Sequence, residues 1–160
     1  MKLLIALLLL LTSTLSLAFP TLPPIPDIFN GTSSLAPRNK DGVHCCDNNG
    51  RGWKYVPVKK FEPLIHDLKD YYFGNDHNIQ LTPGPAACKS LEPCRGGAQI
   101  LICNDQRNWI APDRLYIASY AEDIIRQCSV YKEVSHAIFA WQVCGQEFDT
   151  DQYNVILKGC

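Results

Sequence analysis

Eight cysteines constrain this chain more than any other feature: Cys45, Cys46, Cys88, Cys94, Cys103, Cys128, Cys144 and Cys160, with none in the first 44 residues. What they do depends on the redox compartment, and the amino end indicates which one. Met1-Lys2 supplies a positive charge, Leu3 to Leu11 is an unbroken apolar run, and Ser16-Leu17-Ala18 fits the small-x-small rule for signal peptidase. The run is shorter than the roughly 20 apolar residues a membrane span needs, and no later stretch matches it. Residues 1–18 therefore read as a signal peptide, and the protein as secreted and extracellular with no membrane anchor. In an oxidising compartment the even set predicts four disulfides. The competing reading is a metal site using His44 with Cys45-Cys46, or Cys88 with Cys94. Neither has the C-x2-C or H-x3-H spacing of zinc ligands, so no metal and no cofactor are expected. A bridge between adjacent Cys45 and Cys46 would be strained, which predicts separate partners for them. Cys160, the last residue, is where a staple would best stop fraying. The pairing is otherwise open.

Residues 19–44 hold five of the eleven prolines, no cysteine, and the breakers Gly31, Ser33, Ser34 and Gly42. They read as a proline-rich flexible arm, or alternatively a propeptide. Asn30-Gly31-Thr32 within it is the one N-glycosylation sequon, which makes Asn30 the expected glycan site. Residues 45–160 then form one disulfide-stabilised domain. Trp53 to Val58 is aromatic and β-branched and predicts a strand, with Pro57 placing it at an edge or strand end. Phe61 to Phe73 predicts a helix, with Pro63 in its first turn, Leu64, Ile65, Leu68, Tyr71 and Tyr72 on one face, and Gly74 as its stop. Ile79 to Leu81 predicts a short strand and Ala98 to Cys103 a buried one. Asp113 caps a second expected helix, Arg114 to Cys128. Its inner stripe is Leu115, Ala118, Ala121, Ile124, Ile125 and Cys128, and Arg114, Glu122 and Arg126 face water. Ala137 to Val143 and Tyr153 to Leu157 predict two strands of one hairpin around a polar loop from Gly145 to Gln152. The expected fold class is α+β: a small antiparallel sheet of about four strands covered by two or three helices and stabilised by disulfides.

Composition excludes some functions and motifs name none. With 46% apolar residues, 19% charged residues and a net charge of −1, the chain is no disordered polar tail and has no electrostatic reason to bind nucleic acid. The eight cysteines, once paired, offer no nucleophile. Ser90 and Ser119 lack the G-x-S-x-G turn, and no P-loop, dinucleotide fingerprint or H-E-x-x-H is present. No catalytic residue is assigned. Glu147, Asp149 and Asp151 would share one side of an extended chain. They could bind calcium or flank a glycosidic bond, although a solvated turn is the favoured reading. Lys54, Lys59 and Lys60 read as a solvated face. Trp53 and Trp141, inside expected strands, read as core, while Trp109, in a loop between Asn108 and Pro112, is the candidate surface contact.

The strand Trp53-Lys54-Tyr55-Val56-Pro57, the eight cysteines and the carboxyl-terminal Cys160 resemble the LARS family, the Leptosphaeria avirulence and suppressing effectors of plant-pathogenic fungi. That family carries the motif Trp-Arg-aromatic-(Leu or Lys)-(Thr or Pro). This chain keeps Trp53, Tyr55 and Pro57 and departs from it at Lys54 and Val56. The resemblance covers Cys45 to Cys160. It implies an antiparallel four-stranded sheet under helices and a non-catalytic effector of virulence. Such a protein binds a plant host protein, is recognised by a matching resistance protein, and acts as a monomer in the apoplast or after uptake into host cells. The alternatives are a secreted killer-toxin-like or antimicrobial protein and, third, a small secreted hydrolase using the Glu147 to Asp151 carboxylates.

Overall fold

The computed structural model describes residues 22–23, 39–46, 52–70, 77–91 and 93–160. The expected signal peptide over residues 1–18, the expected glycan site Asn30 and most of the arm expected over residues 19–44 lie outside them. The elements in order are β1 (Lys40–Cys45), β2 (Val56–Pro57), a 3-10 turn (Val58–Lys60), α1 (Glu62–Lys69), β3 (Ala87–Ser90), β4 (Ala98–Asn104), α2 (Arg114–Cys128), β5 (Val130–Ser135), β6 (Ile138–Val143), β7 (Gly145–Asp149) and β8 (Tyr153–Gly159).

The strands form two antiparallel sheets. One is five-stranded, in the order β1-β7-β8-β4-β3, and the other is three-stranded, β2-β6-β5. This corrects the expectation of one sheet of about four strands. The antiparallel pairing and the disulfides stand, and with two short helices beside eight strands the fold is mostly sheet, so the α+β expectation is met only in part. The expected hairpin is corrected as well. Residues 145–149 are a strand rather than loop, β7 pairs with β8, and β6 pairs instead with β5. Between β6 and β7 the chain crosses from one sheet to the other at Cys144. Gly145 makes that crossing fit, since a Cβ there would lie 3.0 Å from Cys128 Sγ, His44 O and Ile124 Cγ2. A side chain at this point would push β7 off α2.

Strand pairing reaches back before Cys45, since Lys40 to His44 is most of edge strand β1, paired with β7. Its polar sequence suits an edge whose side chains mostly meet solvent. The expected Trp53 to Val58 strand contracts to Val56–Pro57 at the edge of the small sheet; Pro57 has no N–H to continue the ladder. The first helix stops at Lys69, where Asp70 turns extended, short of the expected Phe73; residues 71–76 are outside the described set. Ile79 to Leu81 is flanked by two isolated bridges, Asn78 to Asp113 and Leu81 to Ile110, instead of forming a strand.

Both helices bury an apolar face, but that of α2 departs from the expected stripe: Leu115 and Arg114 are half-buried, and Ile117 and Tyr120 are buried in addition. Leu64, Ile65 and Leu68 of α1 and Ile117, Ala118, Ala121, Ile124 and Ile125 of α2 are buried. They share a core with Ala98, Ile100 and Ile102 of β4 and Tyr153, Val155 and Leu157 of β8. Asp113 caps α2 as expected, accepting the backbone N–H of Leu115 at 2.8 Å and of Tyr116 at 3.1 Å. Glu122 does not face water: it is buried and paired with Lys69 of α1.

All eight cysteines are paired: Cys45–Cys128, Cys46–Cys144, Cys88–Cys103 and Cys94–Cys160. Cys45 and Cys46 take separate partners and Cys160 is stapled, as predicted. No helix among the described residues is long and apolar enough to cross a membrane.

Candidate functional site

The β5–β6 hairpin carries five of the seven large apolar side chains exposed among the described residues: Val130, Tyr131, Val134, Ile138 and Phe139. Tyr131 lies opposite Trp141 and Glu133 opposite Phe139, and alternate residues of a strand share a face. Tyr131, Phe139 and Trp141 therefore form one aromatic cluster. The Tyr131 ring is 5.5 Å from Trp141, tilted by 58°, and 5.9 Å from Phe139, nearly parallel at 26°. Phe139 is 51% and Ile138 62% exposed, with Val130, Tyr131 and Val134 also exposed. Scattered apolar residues are ordinary on a surface, whereas contiguous ones mark a place of contact. Trp141, expected in the core, is half-buried on this face, and its indole N–H donates to the carbonyl of Pro23 at 3.2 Å. Elsewhere on the hairpin the Lys132 ammonium lies 3.1 Å from the centre of the Tyr55 ring, and burial lowers its pKa. Gln142 ties the hairpin internally by donating to the Glu133 carbonyl at 3.0 Å. A bulge between Glu133 and Ser135 breaks the ladder on edge strand β5, a device that discourages indiscriminate strand pairing.

The acidic residues Glu147, Asp149 and Asp151 do not form the expected solvated turn. Glu147 and Asp149 belong to β7 and are 3% and 4% exposed. Only Asp151 is at the surface, accepting from the Asn39 side chain at 3.2 Å. The Tyr120 hydroxyl donates to Asp149, which also accepts the Asp151 backbone N–H at 2.6 Å. Lys40 pairs with Asp123 and sits 4.5 Å above the Tyr120 ring, and Arg126 pairs with Asp123 from the other side. Burial pushes the Glu147 carboxyl up to about 7, with Asp123 and Asp149 adding to the shift and Lys40 and Arg126 opposing it. Its Oε2 finds no hydrogen-bond partner among the described residues. Burial also raises the phenols of Tyr120 and Tyr153. Glu147 can exchange a proton here, but two carboxyl groups so enclosed cannot both flank a glycosidic bond.

The motif residues Trp53, Tyr55 and Pro57 are half-buried; Tyr55 lies beneath Lys132 of the hairpin and Pro57 pairs with Gln142 of β6. Trp109 is 65% exposed. The next residue, Ile110, lines a shallow cleft of about 380 Å3 with Gln106, Tyr116, Asp151 and Tyr153. Tyr131 and Phe139 were not legible as surface contacts. The available signal was the pair of short apolar runs Val130-Tyr131 and Ile138-Phe139-Ala140-Trp141, with too few helices to cover both. Among the described residues no three His, Cys, Asp or Glu side chains cluster as a metal site. The chain matches no family model, and searches of curated proteins and of solved structures find nothing similar.

Proposed function

We propose that the protein is a secreted, disulfide-braced effector that acts in a plant host by binding a host protein, without catalysis, and that a matching resistance protein recognises it. The exposed aromatic face of the β5–β6 hairpin, around Tyr131 and Phe139, carries the binding part of this reading. Interfaces centre on aromatic anchors of this kind. The plant-host part rests on the resemblance of Trp53, Tyr55, Pro57 and the cysteine layout to the LARS effectors.

Transient co-expression in leaves with candidate resistance genes tests it. The expected outcome is a genotype-dependent response that a Tyr131→Ala, Phe139→Ala double variant loses while keeping its melting temperature. Inhibition of microbial growth by the purified protein, with no leaf response, would move the assignment to the toxin class.

A further inference from the structure

Trp141 makes a contact that spans 118 residues of sequence, its indole N–H donating to the Pro23 carbonyl at 3.2 Å. Leu22 and Pro23 are the two described residues before Asn39. They belong to the uncharged stretch Phe19-Pro20-Thr21-Leu22-Pro23-Pro24-Ile25-Pro26. Four prolines in the seven residues from Pro20 bias the chain to the polyproline II helix, which has three residues per turn and no internal hydrogen bonds. Pro20, Pro23 and Pro26 recur at that period, so one edge of such a helix is proline throughout. Its carbonyls, unused by its own backbone, are free to accept from outside.

The hairpin face has the matching chemistry. Flat aromatic rings with an N–H donor among them are what proline-rich helices dock against: the rings pack on pyrrolidines and the donor takes a carbonyl. Tyr131 and Phe139 supply two rings and Trp141 a third ring with the donor. The face's one carboxylate, Glu133, accepts the Ala137 backbone N–H, which suits an uncharged ligand.

We propose that the Tyr131, Phe139 and Trp141 face is a binding site for a proline-rich extended peptide, and that its occupant is this chain's own segment 20–26, docked in cis. The inference deepens the reading of this face as the contact surface and rests on it: while docked, the segment covers the rings a host protein would use. The connection to β1 is long enough. At roughly 3.3 Å per extended residue, the chain between Pro23 and Asn39 reaches about 50 Å, more than the width of a domain this size. Tethering holds the segment at an effective concentration on the order of millimolar, so even a weak docking is populated.

The test is the indole N–H resonance of Trp141 in the 15N-labelled, disulfide-bonded full chain, assigned through Trp141→Phe. A Pro20→Ala, Pro23→Ala, Pro26→Ala triple variant is expected to shift that resonance and leave those of Trp53 and Trp109 in place. A synthetic peptide of residues 19–27 added to the triple variant should return it to the parent position, and Tyr131→Ala should abolish the return. An unmoved Trp141 signal in the triple variant, or a moved one that the peptide fails to restore, overturns the proposal. A parent shift that depends on protein concentration overturns docking in cis and points to exchange between copies. The unchanged Trp53 and Trp109 signals establish that the triple variant is folded. A leaf response that survives Tyr131→Ala and Phe139→Ala tells against the contact-surface reading, whereas the indole signal reports on proline docking alone.

Discussion

Glu147 is a carboxyl group in a place that disfavours its charge, walled in by α2 and β1 with an oxygen that no described group satisfies. Its pKa, raised from 4.5 to about 7, means that the folded protein holds a proton the unfolded chain would release. Stability from this group is fully present below the ordinary carboxylate range and is lost as pH climbs through 7. At about 1.4 kcal/mol per pKa unit, the full loss is on the order of 3–4 kcal/mol. The melting temperature of the parent protein is therefore expected to fall between about pH 5 and pH 8. Glu147→Gln, which keeps the shape and removes the charge, should flatten that profile and be the more stable protein at pH 8. Parallel pH profiles for the two would show that Glu147 does not titrate in this window.

At the scale of elements, α2 is the helix that holds both β1 and β7 in place, and its start is fixed by one side chain. Asp113 accepts two backbone N–H groups at the helix start, and Asp113→Ala is expected to cost about 1 kcal/mol, measured as a lower denaturant midpoint at unchanged slope. This cap was legible in the sequence, as were the apolar faces of both helices and the buried run of β4, because each is a periodic pattern in consecutive residues. The strands β1, β3, β5 and β7 were not legible. Lys-Asp-Gly-Val-His-Cys, Ala-Cys-Lys-Ser and Val-Tyr-Lys-Glu-Val-Ser are edge strands with polar or mixed faces. Gly-Gln-Glu-Phe-Asp reads as loop and is buried instead, because α2 and β8 bring partners such as Tyr120 for Asp149 and Asn154 for Gln146. The hairpin site shares the difficulty. Trp141 was legible as a strand residue and was assigned to the core, since nothing local tells which sheet face lacks a second layer.

At the scale of the molecule, the disulfides brace the places where packing has least hold. Cys46–Cys144 pins the crossing between the two sheets, Cys45–Cys128 ties β1 to the end of α2, and Cys94–Cys160 anchors the last residue. Cys88–Cys103 joins directly opposed residues of β3 and β4. The sequence separations are 98 for Cys46–Cys144 and 15 for Cys88–Cys103. If loop closure dominates, removing the first pair as Cys46→Ala, Cys144→Ala costs about 4–5 kcal/mol and removing the second as Cys88→Ala, Cys103→Ala about 3. Chemical denaturation of the two double variants checks the order, and the reverse order would show that native geometry outweighs chain entropy.

The sequence by itself determined what is written in neighbouring residues: the apolar run from Leu3 to Leu11, the exclusion of adjacent cysteines from pairing with each other, the capped amphipathic α2, the buried β4 and the proline period before Asn39. The tertiary structure alone decided what depends on residues far apart: the four pairings, the division into two sheets at Cys144, the burial of Glu147 and Asp149, and the aromatic face to which Pro23 is bonded. Local pattern reports how a segment prefers to fold on its own. Which of its faces is then covered is set by elements up to 118 residues away, and that information exists only once the chain has closed on itself.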